Sequence, residues 1–390
     1  MGIPLLDLKA QYQSIKEDID KKISEVVSSQ KFILGAEVES LERELAAFCQ
    51  TDFAVGVSSG SDALIVSLMA LEVGDGDEVI TTPFTFFATA GAIARLKAKP
   101  VFCDIEEVSC NISVEKLEEL LENQYSKPGN SKARALIPVH LYGQCADMTP
   151  ILSLAAKYDL LVIEDAAQAV GAEYPIEGGS KRACSMGDVG ILSFFPSKNL
   201  SGFGDGGMVL TNDEKLASKI KLLRVHGGRD KYFYDILGGN FRLDTLQAAV
   251  LRVKLRHLDG WLQKRKERAS SYDRLFEESG LVKEGLVKVP RALYKNSGIQ
   301  NFHIYHQYVI RAKERDRLQE FLKEKGVGTS IYYPLSLHLQ KCFSYLGYRE
   351  GDFPVSEKAS KEVLALPVYP ELTSAQQDFV VSSISDFYKS

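Results

Sequence analysis

Short runs rich in β-branched and apolar residues alternate with amphipathic helical patterns between residues 54 and 211. This alternation constrains the fold more than any other feature, because it predicts a mostly parallel sheet with helices covering its faces. Apolar residues recur every three to four positions in the helical runs, as packing on a sheet requires. We predict one large α/β domain with strands at residues 54–57, 78–82, 100–104, 135–139, 160–165, 190–194 and 207–211. The helices between them are predicted at residues 61–71, 86–96, 114–121, 150–158 and 214–224.

The pattern changes beyond Asp244, where a long helical stretch begins, and from about His303 strands and helices mix in a smaller unit. A chain of 390 residues exceeds the usual size of a single core, which favours two domains. We predict an N-terminal arm and large domain over residues 1–255. A smaller C-terminal α/β domain is predicted over residues 256–390.

The composition is that of a soluble globular protein and excludes several classes of function. The hydrophobic fraction is 45%, the charged fraction is 25% and the formal net charge is −5, so the chain offers no global positive field for a nucleic acid. The first residues lack the apolar core of a secretory signal, and no apolar run approaches the length of a membrane span. We expect a cytoplasmic protein that binds neither nucleic acid nor membranes.

Cysteine spacing bears on metals and disulfides. The cysteines form no C-x-x-C pair, which predicts neither a zinc site nor a disulfide framework, and we expect no bound metal. Most of the thiols are expected to be reduced and buried, among Cys49, Cys103, Cys110, Cys145, Cys184 and Cys342.

Two residues of the large domain stand out as candidates for catalysis. Asp165 ends the strand LLVIED, and ligands of open α/β sheets bind beyond the carboxyl ends of strands; the alternative is a helix N-cap or a surface acid. Lys198 follows a strand that breaks at Pro196. An amine condenses with an aldehyde only when it is neutral, so an imine-forming lysine needs a shielded pocket that lowers its pKa. The alternative is a solvated loop lysine.

A third candidate is the segment VSSGSDAL, where a strand turns through Gly60 into a helix that begins near Ser61. Free backbone N–H groups and the positive end of the helix dipole suit a phosphate monoester, although an ordinary capped helix gives the same pattern. Together the three candidates match one ligand with a phosphate, an aldehyde and a ring nitrogen that gains from a carboxylate. Pyridoxal 5′-phosphate (PLP) has these groups, and Asp165 would keep its pyridine nitrogen protonated.

Six ordered blocks resemble the DegT/DnrJ/EryC1/StrS family of sugar aminotransferases, of PLP fold type I, across essentially the whole chain. The blocks are VSSGSDAL, EVITTPFTFFATAGAI, IPVHLYGQCADM, VIEDAAQAVGA, SFFPSKNLSGFGDGGMV and GGNFRLDTLQAAVLRVKL. The resemblance implies that Lys198 forms an imine with the cofactor and later carries the proton, while Asp165 pairs with the pyridine nitrogen. The cofactor would alternate between PLP and pyridoxamine 5′-phosphate (PMP).

The resemblance also implies the remaining contacts. Phe86 would stack on the cofactor ring, and Gln168 would lie near its phenolic oxygen. The phosphate would be held by backbone groups and one hydroxyl, at Gly60, Ser61, Asp62 and Ser193. Asn240, in GGNFRLD, matches an asparagine that family members donate to the phosphate of the neighbouring subunit, which implies a homodimer with shared active sites. Positions close to the substrate are matched by Arg242, Tyr333 and His338.

Local departures from the family pattern bear on the substrate. Many relatives have a histidine before the lysine block and a glutamate in the glycine loop, whereas this chain has Phe195, Pro196 and Asp205. That variant resembles the branch acting at C3 of nucleotide-linked keto sugars, including enzymes for diamino-uronates and 3-amino-6-deoxyhexoses. We therefore expect an enzyme that aminates a nucleotide-diphosphate-linked keto sugar, at C3 in preference to C4, for amino-sugar, surface-polysaccharide or secondary-metabolite biosynthesis. Glutamate is the amino donor that the resemblance implies.

Three other functions are compatible with parts of this pattern. A non-catalytic regulator could retain the fold, since fold alone does not prove activity, but Lys198, Asp165, Gln168 and Ser193 are all kept. A PLP-dependent sugar dehydratase of this family replaces the lysine by histidine, which Lys198 disfavours. A nucleotide-binding dehydrogenase needs a glycine fingerprint that opens a helix, whereas GFGDGG precedes a strand.

Overall fold

A computed structural model of the chain describes residues 2–125 and 132–389. Its strands are β1 (Phe53–Val57), β2 (Glu78–Thr81), β3 (Lys99–Phe102), β4 (Ala133–Ile137), β5 (Leu161–Asp165), β6 (Glu173–Ile176), β7 (Gly179–Arg182), β8 (Val189–Ser193), β9 (Gly207–Thr211), β10 (Gly228–Asp230), β11 (Phe233–Tyr234), β12 (Val287–Lys288), β13 (Tyr308–Ala312) and β14 (Val363–Leu366). Its α-helices are α1 (Leu8–Ser14), α2 (Lys16–Ser29), α3 (Ala36–Cys49), α4 (Gly60–Ala70), α5 (Ala88–Arg95), α6 (Val114–Tyr125), α7 (Met148–Lys157), α8 (Glu214–Leu223), α9 (Thr245–Leu255), α10 (Leu258–Glu278), α11 (Arg315–Glu324), α12 (Pro354–Glu362) and α13 (Ser374–Lys389). Short 3₁₀ turns cover Leu141–Gly143, Leu337–Leu339 and Lys341–Leu346.

The predicted sheet is confirmed: the described residues form a seven-stranded sheet in the order β1-β9-β8-β5-β4-β2-β3. Its strands lie within two residues of the predicted bounds. Neighbours from β8 through β3 are parallel, whereas β9 is antiparallel to both β8 and β1. The chain returns from β8 to β9 without a crossover helix, and an antiparallel neighbour needs none.

Both faces of the large sheet are buried, as a mostly parallel sheet requires. Strand alternation divides the core into two layers: Leu136 of β4 packs on one face, while Ala135 and Ile137 pack on the other. Helices α4, α5 and α8 cover the second face, and α3, α6, α7 and α9 cover the first. The apolar residues that predicted the helices therefore do bury their faces against the sheet.

A smaller unit is built on the three-stranded sheet β12-β13-β14, with α11 and α13 packed against it. Helix α10 spans both units, because Leu262 packs in the large core while Tyr272 and Phe276 pack in the small one. Near the N-terminus, Ile3 pairs with Val327 of the small unit. The predicted division at 255/256 falls between α9 and α10 and stays a prediction.

The two units are joined by a carboxylate that follows β3. Asp104 accepts hydrogen bonds from the backbone N–H groups of Val355 and Ser356, each at 3.0 Å, and from the Ser356 hydroxyl at 2.5 Å. Helix α12 begins at Pro354 and has no cap from its own N-cap side chain. A residue of the large unit therefore caps a helix of the small unit, which satisfies N–H groups that a helix start leaves open.

The structure describes the state of the thiols, the character of the helices and the arrangement of possible metal ligands. All cysteines are free, and they are buried except for Cys342, which is exposed. Across residues 2–125 and 132–389, no helix combines the length and the apolarity that a membrane crossing needs. Over the same residues, no group of three or more His, Cys, Asp or Glu side chains is arranged to hold a metal ion.

Candidate active site

The candidate residues converge on one edge of the large sheet. Asp165 is the last residue of β5, Ser193 is the last residue of β8, and Gly60 opens α4 after β1. These three strands run in the same direction, because β1 and β8 are both antiparallel to β9. Their carboxyl ends therefore meet at one edge, where open α/β sheets bind ligands.

Asp165 is buried and held at both oxygens. Its Oδ2 accepts from the Thr89 hydroxyl at 2.8 Å, and its Oδ1 accepts from the backbone N–H of Ala167 at 3.2 Å. Burial raises the pKa of the carboxyl, and these hydrogen bonds and the nearby charge of Lys198 oppose that rise. A buried carboxylate of this kind is stabilised by a protonated ligand group.

Lys198 lies in the turn after β8, where its backbone N–H donates to the Phe195 carbonyl at 2.8 Å. Burial lowers the pKa of its amine to about 8, and the negative charge of Asp165 only partly opposes this shift. The loop that follows is held by α9, since Gln247 accepts from the Phe203 N–H at 2.7 Å. Near neutral pH, more of the Lys198 amine is therefore neutral and able to attack an aldehyde than in an exposed lysine.

The turn before α4 brings the helix N-terminus against Ser193. A Cβ atom at Gly60 would lie 2.6 Å from the Cβ atom of Ser193, so only glycine permits this approach. The Asp62 N–H already donates to the Ser59 hydroxyl at 3.0 Å, which leaves the first N–H groups of the helix, those of Gly60 and Ser61, for an anion. The Asp62 carboxylate accepts from Ser58 and Ser59.

Gln168 links the large unit to the small unit. Its Oε1 accepts from the backbone N–H of Tyr142 at 2.8 Å, and its Nε2 donates to the Tyr333 hydroxyl at 3.0 Å. The Phe86 ring is 57% exposed, with its centroid 6.4 Å from that of Tyr333. Phe86 is therefore a largely exposed aromatic side chain next to Tyr333.

Three further predicted residues make no hydrogen bond to Asp165, Gln168 or Ser193 among the described residues. His338 is buried, and its Nε2 forms a hydrogen bond with Glu357 of α12 at 3.1 Å. One of its two ring nitrogens is therefore already paired within the protein. Arg242 pairs through its backbone with Val57 at the end of β1. Asn240 is exposed, and no hydrogen bond among the described residues occupies its side chain.

Sequence reasoning missed two residues of the site. Thr89 holds Asp165, and Tyr142 orients Gln168 from a left-handed backbone (φ 59°), which is uncommon for a residue other than glycine. Thr89 lies in the block TTPFTFFATAGAI and Tyr142 lies in IPVHLYGQ. Their positions in these blocks, and not their residue types, were the features that could have identified them.

These residues fit PLP on geometric grounds. The buried Asp165 carboxylate forms no ion pair with any described residue, the Lys198 amine has a lowered pKa, and the start of α4 offers N–H groups beside a serine hydroxyl. They suit a protonated ring nitrogen, an aldehyde and a phosphate in turn. The arrangement can bind such a ligand and exchange protons with it at Nζ of Lys198.

Comparison with known proteins gives long matches. The chain is 48% identical over 389 residues to a "Pleiotropic regulatory protein" of Geobacillus stearothermophilus, covering 100% of this chain and 99% of the relative. It is 37% identical to the dTDP-3-amino-3,4,6-trideoxy-alpha-D-glucose transaminase of Streptomyces venezuelae, covering 99% and 96%. It is 38% identical to the UDP-2-acetamido-2-deoxy-3-oxo-D-glucuronate aminotransferase of Pseudomonas aeruginosa, covering 98% and 100%.

Solved structures share the fold. DesV of S. venezuelae, in complex with a ketimine intermediate, matches with a TM-score of 0.89 and 37% identity over 100% of this chain and 99% of that one. NtdA of Bacillus subtilis, with bound cofactor PMP, matches with a TM-score of 0.84 and 30% identity over 99% and 83%. The family model of the DegT/DnrJ/EryC1/StrS aminotransferase family matches residues 13–385. The chain therefore belongs to the DegT/DnrJ/EryC1/StrS aminotransferase family.

Proposed function

We propose that the protein is a PLP-dependent aminotransferase that converts a keto group of a nucleotide-diphosphate-linked sugar into an amine. The observation that carries the proposal is the meeting of Lys198, its pKa lowered to about 8 by burial, with the buried Asp165 at one edge of the sheet. Buried titratable groups with shifted pKa values that interact with each other are typical of catalytic sites. The cytoplasmic location expected from the sequence remains part of this proposal.

The proposed roles follow from the contacts of each residue. Bound PLP supplies an electron sink and carries the amino group between the donor and the sugar. Lys198 anchors the cofactor through Nζ and afterwards takes and returns a proton there, since its lowered pKa suits both directions. Asp165, fixed by Thr89 and Ala167, holds a proton on the ring nitrogen through its negative charge.

The binding roles belong to the remaining residues of the cluster. The N–H groups of Gly60 and Ser61 and the hydroxyl of Ser193 bind the phosphate, supported by the dipole of α4. Asp62 contributes by fixing the two serines before the helix. Phe86 covers one face of the ring, and Gln168 lies at its phenolic oxygen.

The sugar carbon is the finer part of the proposal. The S. venezuelae relative is named for a 3-amino sugar and the P. aeruginosa relative for a 3-oxo sugar, and both align over nearly the whole chain. We assign amination to C3 in preference to C4. Glutamate is the proposed amino donor. Arg242 and His338 remain candidate substrate residues.

Loading the protein with its amine-form cofactor and screening keto nucleotide sugars tests this function. Transfer of the amino group returns the cofactor to the aldehyde form, so absorbance typical of lysine-bound PLP should reappear with a 3-keto UDP or dTDP sugar. The matched 4-keto sugar should restore it more slowly. If no keto nucleotide sugar restores the absorbance while a simple keto acid does, the protein is an aminotransferase of another substrate class.

A regulatory function is the second candidate, because a relative with 48% identity carries the name "Pleiotropic regulatory protein". A regulator without catalysis has no need of the lowered pKa of Lys198 or of a helix start held against Ser193. A purified protein that takes up PLP, shows no lysine-bound absorbance and turns over no keto sugar would favour regulation over catalysis.

We further propose that two chains build each active site. Asn240 is exposed beside the hairpin formed by β10 and β11, and that hairpin carries unusually exposed apolar side chains. They are Tyr232 (74%), Phe233 (73%) and Tyr234 (61%), and the exposed Leu237 (92%) follows the hairpin. Exposed apolar patches of this kind mark protein contact sites, and a second copy of the chain fits the family pattern.

Mixing two inactive variants tests the shared site. One chain carries Lys198→Ala, and the other carries Asn240→Ala with Arg242→Ala. If each site takes Lys198 from one chain and Asn240 with Arg242 from the other, the mixed dimer has one intact site, so activity should rise toward half of the wild-type value. Arg242 also pairs through its backbone with Val57 of its own chain, which supports the alternative that it serves the site of its own chain. No recovery despite confirmed subunit exchange would assign these residues to their own chain's site.

A further inference from the structure

The hydrogen bonds of Gln168 fix the direction of its side-chain amide. A backbone N–H can only donate, and that of Tyr142 lies 2.8 Å from one end of the amide, which must be the carbonyl oxygen. The other end is therefore the NH₂ group, and it lies 3.0 Å from the Tyr333 hydroxyl oxygen. Gln168 donates in this bond and Tyr333 accepts.

This bond leaves the hydroxyl hydrogen of Tyr333 available. Within residues 2–125 and 132–389, no group accepts it. Burial raises the pKa of Tyr333, and the charge of Asp165 adds to that rise, so the hydroxyl stays protonated. The amide of Gln168 also has a second hydrogen, because an NH₂ group carries two donors. Two donors thus lie side by side, close enough to Asp165 for its charge to act on Tyr333.

Both side chains are held in place. The Tyr333 ring packs edge-on against Phe84, with centroids 6.1 Å apart and planes at 73°. The hydroxyl of Tyr142 donates to the carbonyl of Tyr332, which anchors the backbone next to Tyr333. The direction of the donors is therefore set by the protein before any ligand binds, and a fixed donor pair favours one acceptor geometry.

We propose that Gln168 and Tyr333 form a two-donor site for the phenolic oxygen of PLP, so that Tyr333 contacts the cofactor and not the sugar. The inference rests on the proposed PLP chemistry and deepens it. An ionised phenolic oxygen has lone pairs for two donors, and hydrogen bonds to a charged acceptor are the strong class. Tyr333 is then a catalytic residue contributed by the small unit.

The visible absorbance of the lysine-bound cofactor, followed against pH, tests the proposal. Loss of the imine proton leaves the full negative charge on the phenolic oxygen, so a donor there stabilises the deprotonated form and lowers the pH midpoint. Tyr333→Phe removes the donor and should raise the midpoint by about one pH unit. Incorporation of 3-fluorotyrosine at position 333 strengthens the donor and should lower the midpoint. A purely structural role gives no reason for opposite shifts.

Tyr332 supplies the matched control, because it is the adjacent tyrosine. Its backbone carbonyl, not its hydroxyl, accepts the hydrogen bond from the Tyr142 hydroxyl. The same two changes at position 332 should leave the midpoint unmoved. Equal midpoints for the wild type and both position-333 variants would overturn the two-donor site. Shifts of the same sign in both would overturn it as well. A wild-type protein that forms no lysine-bound chromophore would overturn the proposed function together with this inference.

Discussion

Replacing Lys198 by alanine should abolish turnover while the fold and measurable cofactor binding persist. The amine is the group of the pocket that can form a bond to the aldehyde, whereas the phosphate contacts at Gly60 and Ser193 are untouched. We expect activity to fall by more than about a thousandfold, as removal of a nucleophile that also transfers protons does in comparable sites. Dialysis against PLP followed by spectroscopy should show bound cofactor without the lysine-bound absorbance.

Chemical labelling of the wild type complements this variant. Borohydride reduction of the PLP-loaded protein and peptide mapping should place the label on Lys198. Lys254 is a stringent internal comparison, because burial also lowers its pKa to about 8. Its amine donates to the Ser201 hydroxyl at 3.0 Å and lies over the Phe203 ring. Label on Lys254 in place of Lys198 would refute the assignment of the cofactor lysine.

Asp165→Asn should weaken catalysis by about two to three orders of magnitude and leave cofactor binding detectable. A neutral amide cannot hold a proton on the ring nitrogen, and loss of one partner of a buried charge pair costs about 3–5 kcal/mol. The amide has nearly the same shape and can still accept from Thr89, so the melting temperature should change little. Single-turnover rates with the amine-form cofactor measure the chemical step directly.

The neighbouring hydroxyl provides a graded comparison for Asp165. Thr89→Val keeps the shape and the carboxylate but removes the 2.8 Å hydrogen bond. Because the charge remains, the rate should fall by about tenfold, far less than in Asp165→Asn. An Asp165→Asn variant with the wild-type rate would remove this carboxylate from the mechanism.

The sequence predicted best what depends on local rules. Strands of a parallel sheet end at a common edge, so Asp165 and Lys198, which lie at or after the ends of predicted strands, could be assigned to one ligand site. Gly60 was recognisable as the start of a helix, and the structure adds why it must be glycine, since a Cβ there would collide with Ser193.

Contacts between distant segments could not be predicted in this way. Thr89 and Asp165 are 76 residues apart, and Gln168 and Tyr333 are 165 apart, so their hydrogen bonds depend on how the elements pack. His338 shows the opposite problem: its motif resembles that of substrate residues, yet its Nε2 is bonded to Glu357. The position of a residue in a motif therefore does not predict which side chain it contacts in the folded protein.

The cap that Asp104 provides to α12 ties the geometry of the pocket to a single carboxylate. An outward movement of the small unit would pull the N-terminus of α12 away from Asp104. The N–H groups of Val355 and Ser356 would then lose their hydrogen-bond acceptor. Buried donors without partners cost free energy, so this cap favours the arrangement in which the small unit packs against the large unit. Tyr333 belongs to that same unit. Asp104 therefore helps, through the packing of the two units, to keep Tyr333 in position beside Gln168.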